Sequence, residues 1–240
     1  MSKEQKQEQK QKQEQNPKQT QEQKSLFEQI WEYREEDLYP TLFGQKRRGI
    51  FVLTAEIFTQ GFKQASYDPR WLSYGVIEFE PTDDRDSWLY ATSGASNPWN
   101  ADASSYHLQD YSGFGAELVF EVTEQSQWAI VVLQRLLAFN ILLTIGRYGE
   151  APALDYGHRI PLRQPLDGKN SQLTDIVISK PAHYPDSFKL KSGQVDFLHA
   201  VGITATERDY AQAHSSEKLL QQLKSASAAP VTDAARETII

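Results

Sequence analysis

The amino-acid sequence predicts an α+β fold, with a mixed, mainly antiparallel sheet flanked by helices. One observation is that segments with alternating or β-branched residues lie before and after the most apolar stretch, residues 128–145, which is expected to be a buried core helix. Another is that consecutive strand-like segments are often joined by short turns, which favours antiparallel pairing. The last is that helix-start patterns occur near both ends of the chain, so helices are expected on the sheet faces.

The N-terminal part of the chain is expected to contain a tail and then a helix. Residues 1–24 are almost entirely Gln, Lys and Glu, so this segment is expected to be a disordered tail. Ser25 and Glu28 form a capping-box pattern that begins a helix, and Pro40 is expected to end it. The predicted organisation is therefore a tail over 1–24 and one domain over 25–240.

Seven segments are predicted to be strands because they are rich in β-branched and aromatic residues, and many end at glycine or proline. The basic segment 44–49, which precedes the first of them, is predicted to be a solvated turn. Thr204 and Glu207 form a second capping box, so a helix is expected after the last strand, with a break at 214–216. Residues 237–240 have strand propensity. The predicted strands are residues 50–58, 74–80, 88–92, 116–122, 173–179, 188–191 and 195–201.

The long connection between the third and fourth of these strands, residues 93–111, is the feature around which the chain is organised. A loop of this length inside a compact domain is usually functional or disordered. Trp99, Tyr106 and Tyr111 argue against disorder, because disordered segments contain few aromatic residues. The residues alone leave two interpretations open: a loop presented for binding, or a packed loop that only covers the core.

Composition excludes several classes of function. The net charge of −7 makes binding to a nucleic-acid backbone unexpected, because that interaction needs a basic surface. The chain has no cysteine, so disulfides, thiolate metal sites and cysteine nucleophiles are excluded. The N-terminus has no apolar signal segment, and residues 128–145 are too polar and slightly short for a membrane span. We therefore expect a cytoplasmic protein with no nucleic-acid or membrane partner.

A search for catalytic chemistry finds no strong motif. The sequence contains no nucleotide-binding glycine pattern, no HExxH and no G-x-S-x-G, and its five histidines lack metal-ligand spacing. We predict no metal and no cofactor. His158 with Asp155, or His107 with Asp110, could supply a general base, and the alternative for each histidine is a hydrogen bond that fixes its loop.

Five sequence blocks occur in order between residue 88 and the C-terminus. The blocks are Trp88-Leu-Tyr90; Ser112-Gly-Phe-Gly-Ala-Glu-Leu118; Gly157-His158 with Pro165-Leu-Asp167; Val195-Asp-Phe-Leu-His-Ala-Val-Gly-Ile-Thr204 with Glu207; and Pro230-Val-Thr-Asp233 with Arg236 and Thr238-Ile239. In this order they resemble the suppressor-of-fused domain family.

The resemblance implies a non-enzymatic protein-binding module with the fold of that family's N-terminal domain. Animal members restrain Gli transcription factors in Hedgehog signalling and clamp an extended peptide between two domains, partly by strand addition. Single-domain bacterial relatives are predicted to be immunity proteins that neutralise toxins. This chain ends where the animal N-terminal domain ends, so the resemblance favours the bacterial type.

The resemblance also implies where a partner would bind. An aspartate shortly before the SGFG-like block contacts the peptide in animal members, and Asp110 is the matching position. Trp99 is the nearest candidate for an aromatic contact earlier in the loop. We therefore predict partner binding by Asp110, Trp99 and Tyr106, with Trp99 and Asp110 exposed. One alternative is a signalling regulator that binds a peptide by strand addition, which requires an unpaired sheet edge beside the loop. Another is a hydrolase that uses His158 and Asp155.

Overall fold

An eight-stranded mixed sheet forms the centre of the computed structural model, which describes residues 24–99 and 103–240. The predicted tail lies outside the described residues, apart from Lys24. The strand order is β1-β2-β3-β4-β8-β6-β5, with β7 also paired to β8. Every pair is antiparallel except β4 with β8. The strands are β1 (Lys46–Val52), β2 (Gly75–Phe79), β3 (Trp88–Ser93), β4 (Tyr111–Val122), β5 (Arg159–Pro161), β6 (Leu173–Ser179), β7 (Ser187–Leu190) and β8 (Gly193–Thr204).

Helices cover both faces of this sheet, which confirms the predicted fold class. Alternation along β8 shows how the faces differ. Leu198 and Ala200 face the core under α3, whereas Phe197 faces the N-terminal helices and Val201 and Ile203 face α4 and α5. The α-helices are α1 (Leu26–Glu32), α2 (Tyr39–Phe43), α3 (Gln127–Thr144), α4 (Ala205–Ala213) and α5 (Ser216–Ser225), and the shorter helical turns are Tyr33–Leu38, Ile57–Gly61, Pro69–Ser73 and Ala103–Ser105.

The long apolar segment forms α3 and packs as the predicted core helix. Among the described residues, α3 is the one helix whose length and composition would allow it to cross a membrane. Its residues Ile130, Leu133, Leu137 and Ile141 are buried in the largest hydrophobic cluster of the domain. The same apolar composition is therefore explained by packing of α3 on the sheet.

The N-terminal helical region continues past Pro40, so the predicted end before this residue was wrong. A π-helical segment, Tyr33–Leu38, separates α1 from α2, and the Tyr39 amide donates to the Arg34 carbonyl five positions earlier. A proline in a regular α-helix would clash with the carbonyl four positions earlier. The wider π-helical turn ends at Leu38, two positions before the proline, and the chain remains helical to Phe43.

The first predicted strand was misplaced towards the C-terminus. The strand is Lys46–Val52, so most of the predicted solvated turn belongs to it, whereas Ile57–Gly61 is a π-helical turn. Arg48 is accommodated in the strand because its guanidinium donates two 2.7 Å hydrogen bonds to the buried carboxylate of Glu78 on β2. Phe58 is fully buried against the rings of Tyr67 and Trp71. This tertiary packing favours the helical turn over the extended conformation that the local sequence predicts.

The other predicted strands are present, with differences at their ends. β4 begins five residues before its predicted start, and β8 extends past both of its predicted ends. The three-residue β5 was not predicted. Residues 237–240 form no strand. The C-terminal segment instead makes one isolated bridge, between Thr232 and Val122, and the predicted helix break separates α4 from α5.

Candidate partner-binding site

A buried carboxylate on β4 holds the start of the loop between β3 and β4 by hydrogen bonds. Glu117, in the middle of β4, is fully buried and accepts hydrogen bonds from the Thr92 hydroxyl at 2.6 Å and the Ser96 hydroxyl at 2.7 Å. It also accepts from the backbone amides of Gly94 and Ser96, at 3.1 and 2.9 Å. Four donors on residues 92–96 therefore converge on one side chain, which fixes the path of the loop as it leaves the sheet.

Arg34 joins the N-terminal helical region to the same part of the loop. Its guanidinium is fully buried and donates to the Ser93 and Ser96 hydroxyls and to Asn97 Oδ1, at 3.0, 2.9 and 2.8 Å. One guanidinium nitrogen lies 3.9 Å from Glu117 Oε1. The sequence analysis did not single out this pair. The signals were present, since Arg34 lies on the apolar face of its helix and Glu117 interrupts an apolar strand.

Trp99 is half-buried, so the prediction that it is exposed was wrong. Its indole N–H donates to the Tyr74 hydroxyl, and its ring lies 4.9 Å from the ring of Phe27 and 6.1 Å from that of Tyr74, measured between centroids. The Arg70 guanidinium lies 5.4 Å from the centroid of the indole ring. The large ring therefore packs against the body of the domain, because these contacts remove apolar surface from water. Trp99 anchors the loop and keeps part of its surface accessible.

Asp110 lies on the surface at the other end of the loop, as predicted, and its backbone is held by two hydrogen bonds. Its amide donates to the His107 carbonyl at 3.0 Å, and its own carbonyl accepts from the Gln194 amide at 2.8 Å. On either side of it, the side chains of Leu108 and Tyr111 are 56% and 58% exposed. The third predicted contact residue, Tyr106, is half-buried. This end of the loop thus presents apolar and acidic groups together.

Gly193 determines where the Asp110 backbone can lie. Its φ is +137°, and a Cβ at this position would lie 2.3 Å from the Asp110 carbonyl oxygen. We expect Gly193→Ala to lower the free energy of unfolding by about 1–3 kcal/mol, because the added methyl group strains both backbones. Urea denaturation measures the loss, and amide NMR signals of Asp110 and Gln194 report the displacement. Gly49→Ala is the matched control, because nothing lies within 4 Å of a Cβ there; equal losses in both variants would contradict this role of Gly193.

The two strands that end the main strand order, β1 and β5, are poorly suited to strand addition. β1 lies beside the start of the loop, but its pairing with β2 is interrupted by two register shifts. β5, at the opposite edge, has three residues and ends in Pro161. Bulges, short length and proline all reduce the ability of an edge to pair with another strand. Neither β1 nor β5 is therefore a good edge for the addition of a partner strand.

The two candidate general bases make structural contacts or lie outside cavities. His158 Nδ1 accepts a 3.2 Å hydrogen bond from the Asp155 amide, and Asp155 Oδ1 accepts one from the Tyr156 amide at 2.7 Å. These bonds match the loop-fixing interpretation of His158. In the described ranges, neither His158 nor His107 lines the cavity beside α1 and β1 or the one beside α4 and α5. Within those ranges, no group of three or more His, Asp or Glu side chains is arranged to hold a metal ion.

His199 is a buried histidine whose two ring nitrogens are both satisfied. Nδ1 lies 2.8 Å from the Tyr184 hydroxyl, and Nε2 lies 3.1 Å from the Pro230 carbonyl, which can only accept. Burial lowers the pKa of His199 below its ordinary 6.5, although Glu121 and the Pro230 carbonyl act in the opposite direction. The folded protein therefore holds the neutral ring.

This histidine makes stability depend on pH. Because its pKa is lower in the folded state, its contribution is complete above pH 6.5 and is lost as the pH falls below that value. We expect the free energy of unfolding to decrease between pH 6.5 and 4.5 with a slope of at most about 1.4 kcal/mol per pH unit. Urea denaturation at several pH values measures the slope, which His199→Gln should flatten. An unchanged slope in this variant would contradict the assignment.

Comparisons with known proteins agree with the architecture of the sheet and its helices. The family profile described as Suppressor of fused protein (SUFU) matches residues 70–237. No curated protein sequence matches the chain. Among solved structures, a putative SUFU homologue from Neisseria gonorrhoeae has a TM-score of 0.59 and 16% identity, and the match covers 89% of this chain and 98% of that one.

Two further solved structures share the fold. A chain in the Sufu–Fu complex has a TM-score of 0.58 and 20% identity, with 89% of this chain and 91% of that chain covered. Drosophila Suppressor of Fused has a TM-score of 0.51 and 22% identity, and the match covers 69% of this chain but only 42% of the Drosophila chain. Since the family profile matches well over half of its length, this chain belongs to the suppressor of fused (SUFU) family.

Proposed function

We propose that this chain is a non-enzymatic, cytoplasmic protein-binding module of the immunity type, which neutralises a toxin by covering part of its surface. Membership of the SUFU family carries the proposal. A structurally similar chain occurs in the Sufu–Fu complex, which supports binding of a protein partner. The match to almost the whole Neisseria homologue supports a bacterial single-domain type, and the immunity role is the one that the family resemblance implies for this type.

The proposed contact surface is the loop between β3 and β4, with Asp110, Tyr106 and Trp99 as contact residues. Exposed Leu108 and Tyr111 lie two positions before and one position after the exposed Asp110 in the chain. Interfaces commonly combine a few apolar or aromatic anchors with a polar rim, and this combination favours that end of the loop. Trp99 would contribute the accessible part of its ring and, through its packing on Phe27 and Tyr74, a fixed loop position.

Capture of the partner from a lysate of the native host tests this proposal. The full-length chain is the bait, and the affinity of the captured protein is then measured for Asp110→Ala, Tyr106→Ala and Trp99→Ala. We expect at least one of these changes to weaken binding about tenfold, as expected when a contact with a large energetic contribution is removed. Asp84→Ala is the matched control, because this exposed aspartate lies in the turn between β2 and β3, at the other end of β3.

Two results would overturn the proposal. Equal affinity of the partner for the parent chain and all three loop variants would place the interface elsewhere. Turnover of a small molecule that His158→Ala abolishes would establish the hydrolase alternative and contradict a purely binding function.

A further inference from the structure

A small cavity lies beside the start of the binding loop, where α1, the edge strand β1 and the end of β3 meet. Its volume is about 170 Å³. Phe27, Trp31 and Ile50 form its apolar walls, and Arg34, Glu35 and Ser93 contribute polar groups. Trp31 and Ile50 are 39% and 38% exposed, so the cavity is accessible from the surface. Its size and position suit one side chain of a bound protein.

Glu35 gives this cavity a hydrogen-bond acceptor that a ligand can reach. The residue is only 5% exposed, and its Oε1 accepts hydrogen bonds from the Ser93 hydroxyl and the Arg34 guanidinium. In the described part of the chain, no donor reaches its other carboxylate oxygen, Oε2. Oε2 is not one of the fully enclosed polar atoms that lack a partner, so it is accessible from the cavity and can accept a hydrogen bond from a ligand.

The charges around the cavity do not balance. Arg34 contributes one positive charge, whereas Glu35 and Glu117 contribute two negative charges, so the group carries a formal charge of −1. Within the described ranges, no second Lys or Arg forms an ion pair with either carboxylate. A cation in the cavity would therefore lie beside a group with a net formal negative charge, which favours its binding.

We propose that this cavity receives one lysine or arginine side chain of the protein partner. The aromatic rings of Phe27 and Trp31 suit both the aliphatic stem and the charged end of such a side chain. Glu35 Oε2 accepts a hydrogen bond from the ammonium or guanidinium group, which balances the buried negative charge. The inference rests on the proposed binding function and adds that the partner presents a basic anchor residue beside the loop.

Small probes test the cavity without the partner. The ¹⁵N-labelled full-length chain is titrated with n-butylammonium, n-butanol and n-butyrate while the Trp31 indole and Gly94 amide signals are followed by NMR. We expect saturable shifts with n-butylammonium at about tenfold lower concentration than with n-butanol, and none with n-butyrate. Equal binding of the alcohol, or no shift at Trp31 with the ammonium probe, would overturn the proposal.

Variants separate charge recognition from general damage to the fold. Glu35→Gln should remove the preference for n-butylammonium over n-butanol. Trp31→Ala should weaken ammonium binding without disturbing the packing of the core, since this side chain is partly exposed. Tyr33→Ala is its matched control, because Tyr33 is 43% exposed on the adjoining helical turn and does not line the cavity. Equal effects of Trp31→Ala and Tyr33→Ala would contradict the assignment.

The probe experiment and partner capture fail independently. If the loop variants no longer capture the partner but n-butylammonium does not bind, only the cavity assignment is wrong. If n-butylammonium binds but the chain captures no partner, the proposed function is wrong. The chain also has its own lysines in residues 1–23. If replacing these five lysines by glutamine tightens n-butylammonium binding, the occupant is this segment of the chain, and the partner assignment is overturned.

Discussion

Arg34→Met is expected to lower the free energy of unfolding by about 3–5 kcal/mol, the usual cost of removing one partner from a buried ion pair. The change leaves Glu117 fully buried and Glu35 almost so, without their shared cation. It also removes three hydrogen bonds that hold Ser93, Ser96 and Asn97. Urea denaturation monitored by tryptophan fluorescence measures the loss.

A double variant and a surface control complete this test. Arg34→Met combined with Glu117→Gln is expected to lose less than the sum of the two single losses, because the second change removes an unpaired charge. Lys180→Met breaks the exposed ion pair with Asp186 and should leave the denaturation midpoint unchanged. A loss below about 1 kcal/mol in Arg34→Met would show that the buried network contributes little.

Glu207→Gln is expected to lower the free energy of unfolding by about 3 kcal/mol, because it breaks the buried pair that holds the C-terminal segment. Both Glu207 oxygens accept 2.7 Å hydrogen bonds from Arg236, and one also accepts from the Ile239 amide at 3.1 Å. Burial alone would raise the pKa of Glu207. The hydrogen bonds from Arg236 and Thr204 outweigh it and keep the pKa below its ordinary 4.5.

Hydrogen exchange provides a local readout for the same variant. The Ile239 amide should exchange faster in Glu207→Gln, because its acceptor has lost the negative charge that also binds Arg236. Glu237→Gln changes an exposed neighbour and is the matched control. If Glu207→Gln retains parental stability and slow exchange at Ile239, the segment is held by other contacts.

The parts of the fold that the sequence predicted well are those determined by local patterns. Alternation identified β2, β3 and β6 to within one or two residues, and the capping box at Thr204 and Glu207 is present with both of its hydrogen bonds. These features depend on neighbouring residues and on which face they bury. The long apolar segment was likewise predicted correctly as a core helix, because its side chains need burial away from water.

The errors arose where distant residues decide the structure. The start of β1 depends on Arg48 pairing with Glu78, thirty positions later in the chain. Continuation of the helix through Pro40 depends on a π-helical turn that residue spacing does not reveal. In both cases a tertiary contact or a change in helix geometry outweighed local propensity.

The candidate site was predictable only in part. The resemblance indicated Asp110, and its position on the surface agrees with that expectation, but the packing of Trp99 on Phe27 and Tyr74 joins three separate segments. The cavity was not predicted, because its apolar walls and the Glu35 carboxylate come together only in the folded chain.

Hydrogen exchange of the full-length chain, with and without a captured partner, tests the central claim most directly. That claim is that a protein partner binds at the β3–β4 loop and the adjoining cavity. We predict slower exchange of amides in residues 104–112 and around Gly94 when the partner is bound, with no change in α5. Protection confined to α4 and α5, with the loop unchanged, would contradict the claim.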